Sequence, residues 1–171
     1  MTNMAFVIKE AVTEQELNGK ASVHFISWKE SYADLVPQAF LEKHSLERCR
    51  TMAFAYPKNT FVAMVSGEVV GYACYLPEAR TFASIQPSSE IMALYILKDF
   101  QMHGIGSALL ERCLEMLPSG SVVLFVLDGN EKAIRFYREK GFVFTGKKVE
   151  QEVPGGKLIE LEMVLENNQD K

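Results

Sequence analysis

Cysteine, tryptophan and runs of like charge are all scarce in this chain, and each scarcity removes a class of protein. Its 171 residues carry three cysteines, one tryptophan and a net charge of −4. Cys49, Cys74 and Cys113 are scattered, form no C-x-x-C pair and have no histidine at metal-ligand spacing. They are expected to be reduced and mostly buried, with no metal and no redox role. No basic tract is present, which argues against a nucleic-acid partner. No apolar run approaches membrane-spanning length, and the opening MTNMAFVIKE has no apolar signal core. A cytoplasmic protein with no membrane partner is therefore expected. Internal repeats, linkers and low-complexity segments are missing too, so the chain reads as one domain over residues 1–171, with 166–171 a frayed tail.

What is there is an ordinary globular composition, 48% hydrophobic and 23% charged, with eleven phenylalanines. Phe6–Val12 reads as a first strand. Thr13 is a helix N-cap with Glu16 as its capping-box partner, and the helix it opens breaks at Pro37. PQAFLEKHSLERCRTMAFAY is a second helical stretch ending near Pro57. Ser66-Gly67 between two β-rich runs marks a hairpin, RTFASIQPSSE a loop, and Glu90–Leu97 a strand. An amphipathic helix runs from about Gly104 to Leu117, with Ile105, Leu109, Cys113 and Met116 along one side. Val122–Leu127 is a continuous apolar run, as in a strand buried on both faces of a parallel sheet. NEKAIRFYREKG is a short helix closed by Gly141, and two last strands flank Pro154-Gly155-Gly156. Residues 90–127 make one βαβ unit, right-handed by rule, and the flanking hairpins make the sheet mixed. The class is α/β (α+β).

Gly104 and Gly106 at the mouth of a helix point to an anion, because a helix start offers free N–H groups and the positive end of the dipole. Three readings compete. A dinucleotide fold opens its helix at the strand end with G-x-G-x-x-G; here Leu109 stands in the third glycine's place, and six residues, KDFQMH, separate Leu97 from Gly104. Asp128 lies at a tempting distance for a ribose, but it also begins the turn DGN. A nucleoside-triphosphate loop needs G-K-[ST], and GIGS has no lysine.

The third reading starts from LYILKDFQMHGIGSALL. It resembles motif A of the GNAT superfamily of acyl-CoA-dependent N-acetyltransferases: a strand, a short connection, then Q/R-x-x-G-x-G/A opening a helix, here Gln101, Gly104 and Gly106. NEKAIRFYREKGFVFTG resembles the family's next motif, with Asn130, Ala133, Phe136-Tyr137 and Gly141-Phe142 in order. The likeness runs from about Phe61 to Leu165; the residues before it match only in order of elements. It implies a single-domain fold with a mixed central sheet of about seven strands, helices on both faces, and a splayed parallel strand pair forming a slot for CoA. It also implies transfer of the acetyl group of acetyl-CoA to a primary amine by direct attack in a ternary complex, with no metal.

The resemblance assigns residues as well. Backbone N–H groups of Met102, His103, Gly104, Ile105, Gly106 and Ser107, with Gln101 beside them, would wrap the pyrophosphate. Leu94, Tyr95 and Ile96 would offer backbone groups to pantetheine, with the Leu94 or Tyr95 N–H facing the thioester oxygen. Tyr137 takes the family's acid position near the sulfur, its phenol protonated at neutral pH. Asn130 caps its helix and is also placed to touch CoA. Glu90 sits where some members keep a glutamate base, whereas others deprotonate the amine through water. Trp28 and Tyr32, with Tyr56 nearby, are where the fold walls its acceptor site. Glu150 and Glu152 suit a cationic amine or simply form a solvated face. Cys74 has no adjacent His or Lys in sequence to make it an acyl-carrying nucleophile. Polyamines, aminoglycosides, amino acids, protein N-termini and lysines all remain open as acceptors, and the family's frequent dimers make a homodimer compatible. The rival class is a non-catalytic acyl-CoA sensor or interaction module on the same fold.

Overall fold

The computed structural model describes residues 4–168. After β1 (Val7–Glu10), the Thr13 hydroxyl accepts from the Glu16 N–H at 3.2 Å, and the Glu16 carboxylate accepts from the Val12 and Thr13 N–H groups at 3.0 Å each. This closed capping box starts α1 (Glu14–Tyr32). Burial opposes ionisation of Glu16, but the Lys9 ammonium and these N–H donors outweigh it and hold the carboxyl from its ordinary 4.5 down to about 2. The second helical stretch is two helices rather than one, α2 (Gln38–Leu41) and α3 (Leu46–Ala55). Ser45 divides them: its backbone is extended and its hydroxyl accepts from the Arg48 N–H at 3.1 Å, so it caps a new helix instead of continuing the old one.

β2 (Thr60–Val65) and β3 (Glu68–Leu76) turn at Ser66-Gly67, with φ of 51° and 80°, as a two-residue hairpin of the primed type requires. β4 (Ser89–Ile96), α4 (Ile105–Met116), β5 (Gly120–Leu127), α5 (Glu131–Glu139), β6 (Val143–Val153) and β7 (Gly156–Asn167) follow. The seven strands lie in the order β1-β2-β3-β4-β5-β7-β6. Only β4 and β5 run parallel. The apolar run of β5 thus belongs to a strand covered on both faces of a mixed sheet, with antiparallel β7 along its other edge.

α4 and α5 cover one face, where Ile105, Leu109, Cys113, Leu124, Phe142 and Met163 form the main core. Met116, expected on the buried side of α4, is 54% exposed. Four-residue spacing carries the stripe from Cys113 to Leu117 instead, which is fully buried. α1 lies on the opposite face over Val62 and Tyr72, with α3 packed behind it through Cys49 and Ala53. The loop of residues 77–88 covers Val123 on that face with Ala79 and Ala83. Glu162 pins this loop, accepting from the Ser84 N–H at 2.8 Å and the Thr145 hydroxyl at 2.6 Å.

β7 continues into the segment expected to fray. Asn167 is buried, and its amide donates to the Leu114 and Pro118 carbonyls at 3.1 and 3.2 Å, tying the strand to the end of α4. Residues 169–171 lie outside the described ones. Among the described residues no helix is long and apolar enough to cross a membrane.

Candidate active site

β4 and β5 pair only at Ser89–Val122 and Glu90–Val123. Immediately beyond, Ile91 faces Tyr75 and Ala93 faces Cys74, so Met92 has no counterpart in β3. Such a bulge bends its strand and ends local pairing, while β5 keeps its ladder to β7 as far as Leu127. The parallel strands part, and a cavity of about 530 Å³ opens between them. The Leu97 N–H donates to the Val70 carbonyl at 2.9 Å. Bonded pairs alternate in an antiparallel ladder, so Tyr95 also turns its backbone toward β3, and Leu94 and Ile96 turn theirs toward the cavity. Of the two N–H groups expected to face a thioester, that of Leu94 is the one turned toward the cavity.

At one end of the cavity lies the turn into α4. Met102 and Gly104 have φ of 66° and 83°, and Gly104 is an N-cap without a side-chain capping bond. The N–H groups of Ile105, Gly106 and Ser107 have no acceptor within the helix, and Gly104, Gly106 and Ser107 line the cavity. The two glycines serve different ends. A Cβ on Gly104 would meet nothing within 4 Å, so it is the left-handed backbone that needs glycine there. A Cβ on Gly106 would lie 3.1 Å from Ile96 Cδ1 and 3.4 Å from Phe136 Cζ, so this glycine lets α4 approach β4 and α5.

Gln101 and Met102 also line the cavity, but the Gln101 amide is engaged: it donates to the Ile96 carbonyl at 2.9 Å and accepts from Lys132. The Ile105 side chain is core, and His103 is exposed and outside the lining. Asn130 both caps α5, accepting from the Ala133 N–H at 3.4 Å, and lines the cavity. Lys132 and Arg135, cations in the first turns of α5, stand in the cavity wall as well. In the sequence their one signal is a three-residue spacing on the helix after β5.

Tyr137 lines the slot and is 9% exposed. Burial, with the Tyr32 phenol and the Cys113 thiol nearby, pushes its phenol well above the ordinary value, so it holds its proton at neutral pH. Tyr32 also lines the cavity, its hydroxyl 2.7 Å from that of Tyr95. Trp28 stands behind it, ring against ring at 5.2 Å, and does not reach the cavity. Tyr56 ends α3, 76% exposed and outside the lining.

Glu90 is fully buried and also outside the lining. Arg80 clamps it, with Nε at 3.0 Å and Nη2 at 2.5 Å from Oε2 and the backbone N–H at 3.1 Å from Oε1. Glu160 on β7 pairs with the cavity-lining Leu127 and is itself outside the lining. Burial raises its pKa, Arg80 works against this, and Glu90 adds to it. Its charge is felt at the Tyr32 phenol. Glu150 and Glu152 are exposed on β6, Glu150 lying 3.9 Å from Lys157.

A family model described as the acetyltransferase (GNAT) family matches residues 21–142. The chain belongs to the GNAT acetyltransferase family. It is an acyltransferase of the GNAT type, and the match begins well before the Phe61 limit that its motifs suggested. A probable N-acetyltransferase of Mycobacterium tuberculosis is 28% identical to it over 134 residues, 74% of each chain. The crystal structure of a Pyrococcus horikoshii protein shares the fold with a TM-score of 0.73 at 21% identity, over 96% of this chain and 100% of that one. PaiA N-acetyltransferase from Thermoplasma acidophilum, solved in complex with coenzyme A, gives 0.66 at 19% identity over 95% and 99%. The seven-stranded mixed sheet with one parallel pair is the fold that this GNAT family implied.

Proposed function

We propose that this GNAT acyltransferase moves the acetyl group of acetyl-CoA to a primary amine by direct attack in a ternary complex. One observation carries the reading: the parting of β4 from β5 at Met92, beside a helix start whose N–H groups are uncapped. Acetyl-CoA supplies an acyl group already activated as a thioester. The N–H groups at Gly104 to Ser107, flanked by Lys132 and Arg135, suit its pyrophosphate. Gly104 leaves space above the turn that its own chain does not fill. The relative solved with coenzyme A supports this class of cosubstrate.

Leu94 offers its backbone groups and Ile96 its N–H to the pantetheine arm, the Ile96 carbonyl being taken by Gln101. The Leu94 N–H stabilises the carbonyl oxygen as it gains charge. Tyr137 keeps its proton until the sulfur departs and then donates it. The acceptor enters past Tyr32, where Glu160 attracts a cationic amine and takes its proton directly or through water. Glu90, spent on Arg80, acts by positioning the loop of residues 77–88 rather than as the base.

Release of the CoA thiol from acetyl-CoA, measured against a panel of amines, tests this. Turnover is expected with cationic primary amines. Glu160→Gln should raise their KM by about 10–100-fold, the worth of one charge-assisted hydrogen bond. Tight binding of acetyl-CoA without turnover of any amine would make the non-catalytic module the better account.

A further inference from the structure

Behind the acceptor wall, three metal-binding side chains converge that the sequence keeps far apart. His24 on α1, His44 between α2 and α3, and Cys49 on α3 each bring a ligand atom within 4.8 Å of the others. Cys49 is 1% exposed and His24 is 9% exposed. His44 Nε2 lies 3.2 Å from the Phe25 carbonyl, so this nitrogen carries the proton and donates it. Its Nδ1 keeps an unprotonated lone pair turned to the Cys49 thiol, 3.9 Å from the sulfur. A backbone carbonyl behind the far nitrogen is how metal-ligating histidines are commonly oriented. Independently, His24 Nδ1 is buried and has no hydrogen-bond partner among the described residues. An imidazole nitrogen in that position gains by meeting an electrophile.

We propose that His24, His44 and Cys49 form a binding site for a divalent transition-metal ion that prefers nitrogen and sulfur donors, Zn²⁺ above all. Tetrahedral Zn²⁺ with such donors sets ligand atoms roughly 3.5 Å apart, so the cluster need tighten by only about 1 Å. The ion replaces the Cys49 proton, which passes to solvent, and takes one lone pair from each imidazole; the fourth position is left for water. Lys20, Lys29 and Arg48 are the cations facing the cluster. They oppose a dication, which makes the thiolate of Cys49 indispensable to the site. The role is structural, for the Trp28 ring stacks on His44 at 4.8 Å and meets Tyr32, which is bonded to Tyr95 in the slot. An ion here ties α1 to α3 directly behind the acceptor wall.

The test uses reduced, tag-free full-length chain, stripped with a chelator and titrated with Co²⁺ and then Zn²⁺. One equivalent of Co²⁺ should give thiolate-to-metal charge-transfer absorption with tetrahedral visible bands and quench Trp28, the chain's one tryptophan. Zn²⁺ should displace it and protect Cys49, but neither Cys74 nor Cys113, from alkylation. Cys49→Ser and His44→Gln should each weaken binding at least tenfold, with Cys74→Ser as the unaffected control; either variant suffices if the other does not fold. Absence of the charge-transfer band at millimolar Co²⁺ overturns the proposal. So does binding that survives in a folded Cys49→Ser or His44→Gln variant.

Discussion

At the α4 turn the groups presented to the cavity are mainly backbone: the N–H groups at Gly104, Gly106 and Ser107, with those of Leu94 and Ile96 along β4. At the proposed acceptor end they are side chains drawn from distant segments, Tyr32 on α1 and Tyr95 on β4, backed by Glu160 on β7, which is outside the lining but whose charge is felt at Tyr32 and which Arg80 and Glu90 influence in turn. A backbone site needs a fixed local conformation and leaves its trace in glycine spacing. A side-chain site needs tertiary contacts and leaves almost none. Damage should differ accordingly, impairing binding or chemistry at the first and stability at the second.

Tyr137 stands between the two halves, and its removal should have the largest effect. Tyr137→Phe should lower kcat by about 10²–10⁴-fold, with the acetyl-CoA Kd and the melting temperature nearly unchanged. Steady-state kinetics beside a thermal melt would check this. Loss of affinity or of stability instead would reassign the ring to binding or packing.

Next comes the acceptor side. Arg80→Met strips the fully buried Glu90 of its partner. Breaking a buried pair costs about 3–5 kcal/mol, and solvent at the 40% exposed Arg80 side chain reduces the expected loss to about 2–3 kcal/mol. Urea denaturation should record that loss while the variant, where folded, binds acetyl-CoA as before. Undiminished stability would erase the proposed difference between the halves.

At the α4 turn, Gly104→Ala forces a side chain into φ of 83°, costing about 1–2 kcal/mol, and should also weaken CoA binding. Gly106→Ala faces the movable end of Ile96 and the ring of Phe136 and should cost less of both. Isothermal titration of the pair with CoA would rank them; the reverse order would make Gly106 the binding glycine.

The Glu16 capping box should show the smallest effect on the slot, none on CoA binding, while Glu16→Gln lowers stability by about 1–3 kcal/mol. Its folded pKa, about 2, lies below the ordinary 4.5, so its contribution is full above about pH 4.5 and is lost as pH falls toward 2. The stability difference between wild type and Glu16→Gln should therefore close over that window.

The same contrast governs what could be read from the sequence. Thr13 with Glu16, Ser66-Gly67, Gly104 and Asn130 each fix a local conformation within a few residues, and each was legible. The split at Ser45 was missed because a serine inside a helical pattern does not announce that it caps. The Met92 bulge was invisible, since it depends on how β4 registers against β3. Glu90 read as a candidate base because Arg80 reaches it only once the intervening loop folds back. His24, His44 and Cys49 carry no motif spacing; the packing of α3 on α1 alone brings them together.

The most direct measurement is an amide NMR titration with CoA, which reads backbone groups one by one. Leu94, Ile96, Gly104, Gly106 and Ser107 should show the largest shifts, with Trp28, His44 and Tyr56 nearly still. Shifts concentrated on α1 and α3, with the α4 turn unmoved, would contradict a slot built from backbone.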